Sequence, residues 1–255
     1  MRVPPIGLYY VGAMLREQGY DCEILNWHQI NRTPERIRET LAAKAPDVIG
    51  ISVLHANRWG AIEIARIAKQ INPGAKIVFG GVGATLLWDH FLRHFKEIDF
   101  CILGEGEYAF LKVIEAIEAN DLQAIEKIPG VALRKRGAVV KTGNPVRIMD
   151  LDRLPDPAAW FTFQHVSSTR GCPGNCTFCG SPRIWGRKVK FHSPRYFVDQ
   201  LDRLYRKGVR FFYFSDDTFM LKREHVMAIC REILDRGLMI SWAAISHVNY
   251  CLLYT

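Results

Sequence analysis

The chain has 255 residues, room for two domains of ordinary size. Hydrophobic residues make up 49% and charged residues 24%, which excludes a disordered or collagen-like chain. No apolar run reaches the ~20 residues of a membrane-spanning helix, Met1-Arg2-Val3-Pro4-Pro5 lacks a signal-peptide pattern, and a cytoplasmic location follows by default.

The first ~120 residues alternate helical and strand-like patterns, which predicts βα units around a parallel sheet. Helical spacing runs from Ile6 to Gln18, between Pro5 and Gly19. Cys22 to Leu25 predicts a short strand, Pro34 to Ala45 a helix, and Val48 to Val53 a buried strand. Trp59 to Ile71 reads as a helix closed by Asn72-Pro73-Gly74. Ile77 to Phe79 is a strand running into Gly80-Gly81, and Phe100 to Leu103 another, followed by Gly104-Glu105-Gly106-Glu107 and a helix to about Ala119. Glycines just after strands let a ligand approach the carboxyl edge of an open α/β sheet, although a single pair fits a plain tight turn equally well. A doubly wound domain normally opens on a strand, and this chain opens on a helix. The expectation is therefore a missing central first strand, a split sheet, and a true start that lies upstream.

Val131 to Thr142 predicts a hairpin turning at Arg136-Gly137, and the prolines of Asn144 to Ala159 predict a linker. A second βα series starts at Val166 to Ser168, with a helix over Pro194 to Lys207. It continues with a strand over Val209 to Phe214, a helix over Glu224 to Arg236 and a strand over Leu238 to Ala243. At ~30 residues per unit, about three units fit, fewer than a barrel needs. The expected domains are 1–130, a hairpin and linker over 131–159, and a barrel truncated within 160–255.

The net charge of +8 is uneven. Between Gly180 and Arg210 nine cations face only Asp199 and Asp202. A solvated helical face is the preferred reading, with an anion-attracting or nucleic-acid-binding surface as the alternative.

Seven cysteines, three of them within eight residues, do not form a disulfide framework. Cys172-Pro-Gly-Asn-Cys176-Thr-Phe-Cys179 has the spacing CxxxCxxC. Thiolates are the usual ligands of iron–sulfur clusters, and three of them leave one iron open to a substrate. The alternatives are structural zinc completed by His165 or His192, a cluster closed by Cys230 or Cys251 for electron transfer, and unrelated buried thiols.

Arg170-Gly-Cys-Pro-Gly-Asn-Cys-Thr-Phe-Cys179 resembles the signature of the radical S-adenosylmethionine (SAM) superfamily. The resemblance implies a [4Fe–4S] cluster on Cys172, Cys176 and Cys179, with SAM on the open iron. It also implies reductive cleavage of SAM to methionine and a 5′-deoxyadenosyl radical. By the same resemblance Phe178 lies along the adenine, and Asp216 and Asp217 fall in the SAM-contacting segment. For the two aspartates, a helix N-cap before Glu224 with a solvated neighbour is an equal reading.

The front half resembles the cobalamin-binding (B12) domain fused to many radical SAM proteins. That domain carries DxHxxG, SxL and a glycine pair. Ser52-Val53-Leu54 fits the second motif, Gly80-Gly81 the third, and Gly104-Glu105 a stretch common in the fusion. Pro4 stands where the cobalt-ligating histidine of the first motif would be, so the resemblance implies cobalamin held without a protein ligand to cobalt.

The implied fold is α/β throughout. A flavodoxin-like, doubly wound B12-binding domain lacking its first strand precedes the first part of a radical SAM partial (β/α) barrel. The implied function is methyl transfer to an unreactive carbon. An oxidative cyclase, or a binding module without catalysis, is the alternative. A small-molecule substrate and a flavodoxin- or ferredoxin-type reductant are the expected partners, and nucleic acid is not. His247 replaces an arginine common at that place, and Cys251-Leu-Leu-Tyr-Thr255 departs from the expected acidic helix. The first implies weaker contact with SAM, the second resembles a shifted reading frame or a truncated read, and without the later barrel strands the expectation is an inactive fragment.

Overall fold

The computed structural model describes residues 5–26 and 33–250. Two compact units emerge. One joins the residues up to Val11 with Glu23–Arg147, and the other joins Gly12–Cys22 with the residues from Ile148 onward. Helix α1 (Ile6–Glu17) precedes Gly19, whose φ of +85° suits glycine and ends the helical run.

In the first unit, helix α2 (Pro34–Lys44) is capped by Thr33, whose side chain accepts from the Arg36 amide, with Pro34 in the first turn. Strand β1 (Val48–Ser52), helix α3 (Arg58–Ile71), strand β2 (Lys76–Gly80), helix α4 (Gly81–His94) and strand β3 (Phe100–Ile102) follow. Helices α5 (Glu107–Glu118) and α6 (Leu122–Ile125) lead to strands β4 (Val131–Lys135) and β5 (Ala138–Lys141). The five strands form one sheet in sequence order, parallel through β3 and antiparallel after it. The hairpin 131–141 is thus the edge of this sheet, and its turn uses Arg136 and Gly137, both at positive φ.

Strand parity explains why both faces are covered. Ile77, Phe79, Cys101 and Ala132 point into a core built with α2, α3 and α4. The intervening Val78, Phe100, Ile102, Val131 and Leu133 point into a second core with α5 and α6. Such two-sided burial makes the sheet doubly wound.

Two expectations fail here. Cys22–Leu25 is not a strand, since it joins no ladder among the described residues. The sheet is also one continuous run rather than a split one.

The second unit carries short strands β6 (His165–Val166) and β7 (Thr169–Arg170), then helix α7 (Ser181–Trp185) and strand β8 (Lys190–Phe191). Helix α8 (Pro194–Arg206), strand β9 (Phe211–Phe214), helix α9 (Arg223–Asp235) and strand β10 (Ser241–Ala244) complete it. Strands β6, β9 and β10 form a parallel sheet in that spatial sequence, while β7 and β8 pair separately and antiparallel.

Helix α8 starts at Ser193, whose hydroxyl accepts from the Tyr196 amide at 3.2 Å, with Pro194 in its first turn. Its apolar stripe Phe197, Val198, Leu201 and Leu204 is fully buried. Phe197 packs edge-on against Phe214 of β9 at 5.1 Å.

Much of the positive charge on this segment is internally matched. Arg203 pairs with Asp156 at 3.0 Å and Arg206 with Asp202 at 2.7 Å. Lys207 donates to the carbonyls of Ala158, Ala159 and Phe161, and Arg210 lies over the Tyr205 ring at 3.8 Å.

Candidate cofactor sites

The first site lies at the carboxyl ends of β1, β2 and β3. The chain leaves β1 through Ser52, Val53 and Leu54, leaves β2 through Gly80 and Gly81, and leaves β3 toward Gly104 and Glu105. Backbone contacts fasten these exits together. The Val53 amide donates to the Gly80 carbonyl at 2.9 Å, and the Gly83 amide donates to the Val53 carbonyl at 2.7 Å. A Cβ on Gly83 would stand 2.7 Å from that carbonyl oxygen, and one on Gly81 3.1 Å from Ser52 Oγ. Gly81 also has φ +82°, and Gly104 φ +71°.

Sequence reasoning missed three of the fastening residues. The Thr85 hydroxyl donates to the Gly81 carbonyl at 2.8 Å and accepts from the Gly104 amide at 2.9 Å. Asn57 accepts from the Leu54 amide at 2.7 Å and donates to the Ser52 carbonyl at 3.2 Å. Gly83 allows the close approach just described. A threonine four residues after Gly81 on a helix was a readable signal only if that helix had been foreseen.

Glu105 is buried, whereas Leu54 and Val82, just after β1 and Gly81, are large apolar side chains left exposed. A Cβ on Gly80 would meet nothing within 4 Å, so the backbone there is open to a close-fitting ligand. Open backbone at Gly80 beside exposed apolar side chains suits a large, flat ligand such as a corrin ring. Pro4, at the place of the first motif's histidine, lies outside the described residues.

The second site is the loop after β7. Gly171, at φ +102°, turns the chain into the cysteine segment. Cys172 and Cys176 are partly exposed, Cys179 is exposed, and none of the three is in a disulfide. A Cβ on Gly174 would lie 3.3 Å from Cys172 Sγ and 3.8 Å from Cys176 Sγ, so both sulfurs lie close to this glycine. The Gly174 amide donates to Cys172 Sγ at 3.4 Å.

Among the described residues, no three His, Cys, Asp or Glu side chains converge in a metal-holding group. The donor chemistry of three thiols on one loop fits a three-thiolate cluster. Cys251, offered as a fourth ligand, lies outside the described residues. His192 is committed elsewhere: it is buried, stacked on Tyr196 at 4.3 Å, and its Nδ1 hydrogen-bonds Asp152 at 3.0 Å.

Phe178 is 91% exposed, free to lie against a ligand. Asp216 and Asp217 follow β9 but are unlike each other. Asp216 is 2% exposed and accepts at Oδ1 from Ser168 at 2.9 Å and Thr169 at 2.6 Å. Burial pushes its carboxyl above the ordinary range, against the pull of those hydrogen bonds. Asp217 is exposed and accepts from the Ser181 hydroxyl. Neither caps α9: that place belongs to Lys222, which makes no side-chain cap. The N-cap reading of the pair is therefore wrong, because a short 3₁₀ turn at Phe219–Leu221 intervenes.

Comparisons with known proteins match both parts of the chain. The family model of the B12 binding domain matches residues 1–114, and that of the radical SAM superfamily matches residues 166–249. An uncharacterized methyltransferase of Pyrococcus horikoshii is 31% identical over 96% of this chain and 56% of its own length. The anaerobic magnesium-protoporphyrin IX monomethyl ester cyclase of Rubrivivax gelatinosus is 27% identical over 96% of this chain and 47% of its own length. The chain therefore spans about half the length of the curated relatives it matches.

Among solved structures, the radical SAM methyltransferase TsrM of Kitasatospora setae, with cobalamin and a [4Fe–4S] cluster bound, superposes with a TM-score of 0.75. That match has 18% identity over 92% of this chain and 48% of the other, a likeness of fold. The cofactors that go with the two domains are cobalamin, SAM and a [4Fe–4S] cluster. With both domains present in order along one chain, this protein belongs to the B12-binding radical SAM superfamily proteins.

Proposed function

We propose that the chain is the cofactor-binding portion of an enzyme that methylates an unreactive carbon. The observation that carries this reading is the set of three unpaired thiols at CxxxCxxC spacing, on a loop at the carboxyl end of a parallel βα unit. When bound, SAM at a reduced cluster supplies a hydrogen-abstracting carbon radical and cobalamin supplies the methyl group.

The residues of the chain bind and orient these groups. Cys172, Cys176 and Cys179 would hold the cluster by their thiolates, and three ligands would leave it a position open to SAM. Phe178 offers its ring to the adenine, and Asp217 offers an exposed carboxylate to the same ligand. Ser52, Leu54, Gly80, Gly81, Gly104 and Glu105 form the cobalamin edge. The remaining readings are a small-molecule substrate, a flavodoxin- or ferredoxin-type reductant, and a cytoplasmic setting, where thiols stay reduced.

Similarity to the cyclase supports a second reading, ring closure with the same cofactors. The test is anaerobic reconstitution with iron, sulfide and hydroxocobalamin, followed by methyl-labelled SAM and a reductant. 5′-Deoxyadenosine together with label moved onto cobalamin supports methyl transfer. 5′-Deoxyadenosine with no label on cobalamin supports the cyclase. A cluster indifferent to SAM would reduce the protein to a binding module.

A further inference from the structure

Asp216 is tied to the strand that leads into the cysteine loop. The β6–β9 ladder pairs His165 with Tyr213 and Val166 with Phe214, and the Ser215 amide extends it by donating to the Val166 carbonyl at 2.7 Å. Where that ladder stops, Asp216 takes over. Its Oδ1 accepts from the hydroxyls of both Ser168 and Thr169. All three residues are 2% exposed or less. One residue on, Thr169 and Arg170 pair with Phe191 and Lys190, and Gly171 turns the chain toward Cys172.

Two hydroxyl donors on one buried carboxyl group tie the end of β9 to the segment entering β7, because a hydrogen bond in a dry site has no water to exchange with. Asp216 Oδ2 is buried without a hydrogen-bond partner. A ligand outside could reach it only if the packing opened.

We propose that Asp216 is a positioning residue that sets where the chain leaves the sheet for the cysteine loop, and that only Asp217 of the pair faces a bound ligand. The proposal rests on the preceding reading only for what the loop holds. The clamp itself is a property of the bare chain.

The test uses the full chain and the variants Asp216→Ala, Asp216→Asn and Asp217→Ala. In the metal-free protein, Asp216→Ala should speed amide hydrogen exchange over residues 167–172 by about tenfold or more, the signature of a lost local constraint. Asp216→Asn, which keeps an acceptor at the same place, should stay close to wild type, as should Asp217→Ala. If Asp216→Ala fails to fold, Ser168→Ala with Thr169→Val removes the hydroxyl donors and should give the same acceleration. Unchanged exchange in whichever of these variants folds overturns the clamp, whether or not any iron binds.

After reconstitution, Asp216→Ala should hold severalfold less iron and give a broadened electron paramagnetic resonance spectrum, with Asp216→Asn restoring both. Asp217→Ala should keep the cluster and weaken SAM binding. An Asp216→Asn variant with normal exchange and cluster, but with SAM affinity about tenfold down, would make Asp216 a ligand contact and sink the proposal. A wild-type chain that takes up no iron would sink the cluster reading alone, since the exchange result stands without it.

Discussion

The glycine-lined strand edge of the first unit and the cysteine loop of the second are built differently. At the first, three strand exits are fastened to one another through Val53, Gly83, Thr85 and Asn57 before any ligand arrives. At the second, the three thiols lie on an irregular loop, two of them partly exposed and Cys179 exposed. A preorganised edge binds without first ordering itself, and cost of that kind is what preorganisation removes. A loop that closes on its metal couples binding to local folding. Substitutions should therefore damage the two places differently: through stability at the edge, and through cofactor uptake at the loop.

The largest effect is expected at the loop. Replacing Cys172, Cys176 or Cys179 by Ala should lower 5′-deoxyadenosine formation by about 1,000-fold or more while leaving the melting temperature of the metal-free chain unchanged, because the ligands carry the chemistry and little of the fold. A drop in that melting temperature would erase the contrast.

The edge should give the reverse. Gly83→Ala sets a methyl group 2.7 Å from a backbone oxygen that cannot step aside. It should destabilise the metal-free chain by about 1–3 kcal/mol in urea denaturation. Phe178→Ala sharpens the comparison from the loop side: no stability change, and SAM affinity about tenfold weaker by titration, the worth of one aromatic stack.

The smallest effect concerns pH. A hydrogen bond with His192 holds Asp152 well below its ordinary value of 3.8, at about 2. A lowered carboxyl contributes stability that is complete above 3.8 and lost as pH falls through 2. The side chain is a third exposed, so solvent screening should leave about 0.2–1 kcal/mol. Asp152→Asn should flatten that part of the stability profile, measured by denaturation between pH 5 and 2 (a range of about three units around the shift).

Much of this was legible in the sequence, for physical reasons that differ from place to place. Helices α2, α3 and α8 announce themselves through prolines, caps and apolar stripes, and the strands through short apolar runs closed by glycine or Ser-Asp. Helix α4 was not read, because Gly81-Val82-Gly83 looks like a turn. It forms because its buried face, Ala84, Phe91 and Leu92, packs onto the sheet. Cys22–Leu25 has strand composition, but composition cannot supply a neighbour to pair with. Clustered cysteines are visible because their chemistry is local. The unlike fates of Asp216 and Asp217 are not, since they depend on hydroxyls 47 and 48 residues away in the chain.

The edge hairpin reaches further than its strand pairing. From β4, Arg134 donates to the carbonyls of Leu92, Phe95 and Ile98 at 2.6–2.9 Å, all at or just past the end of α4. A guanidinium there satisfies oxygens that the helix leaves bare and offsets its negative pole. Anyone excising the front portion for separate expression should therefore cut beyond Thr142. A piece ending at 130 would discard the cation that seals α4, along with the outermost rows of the sheet.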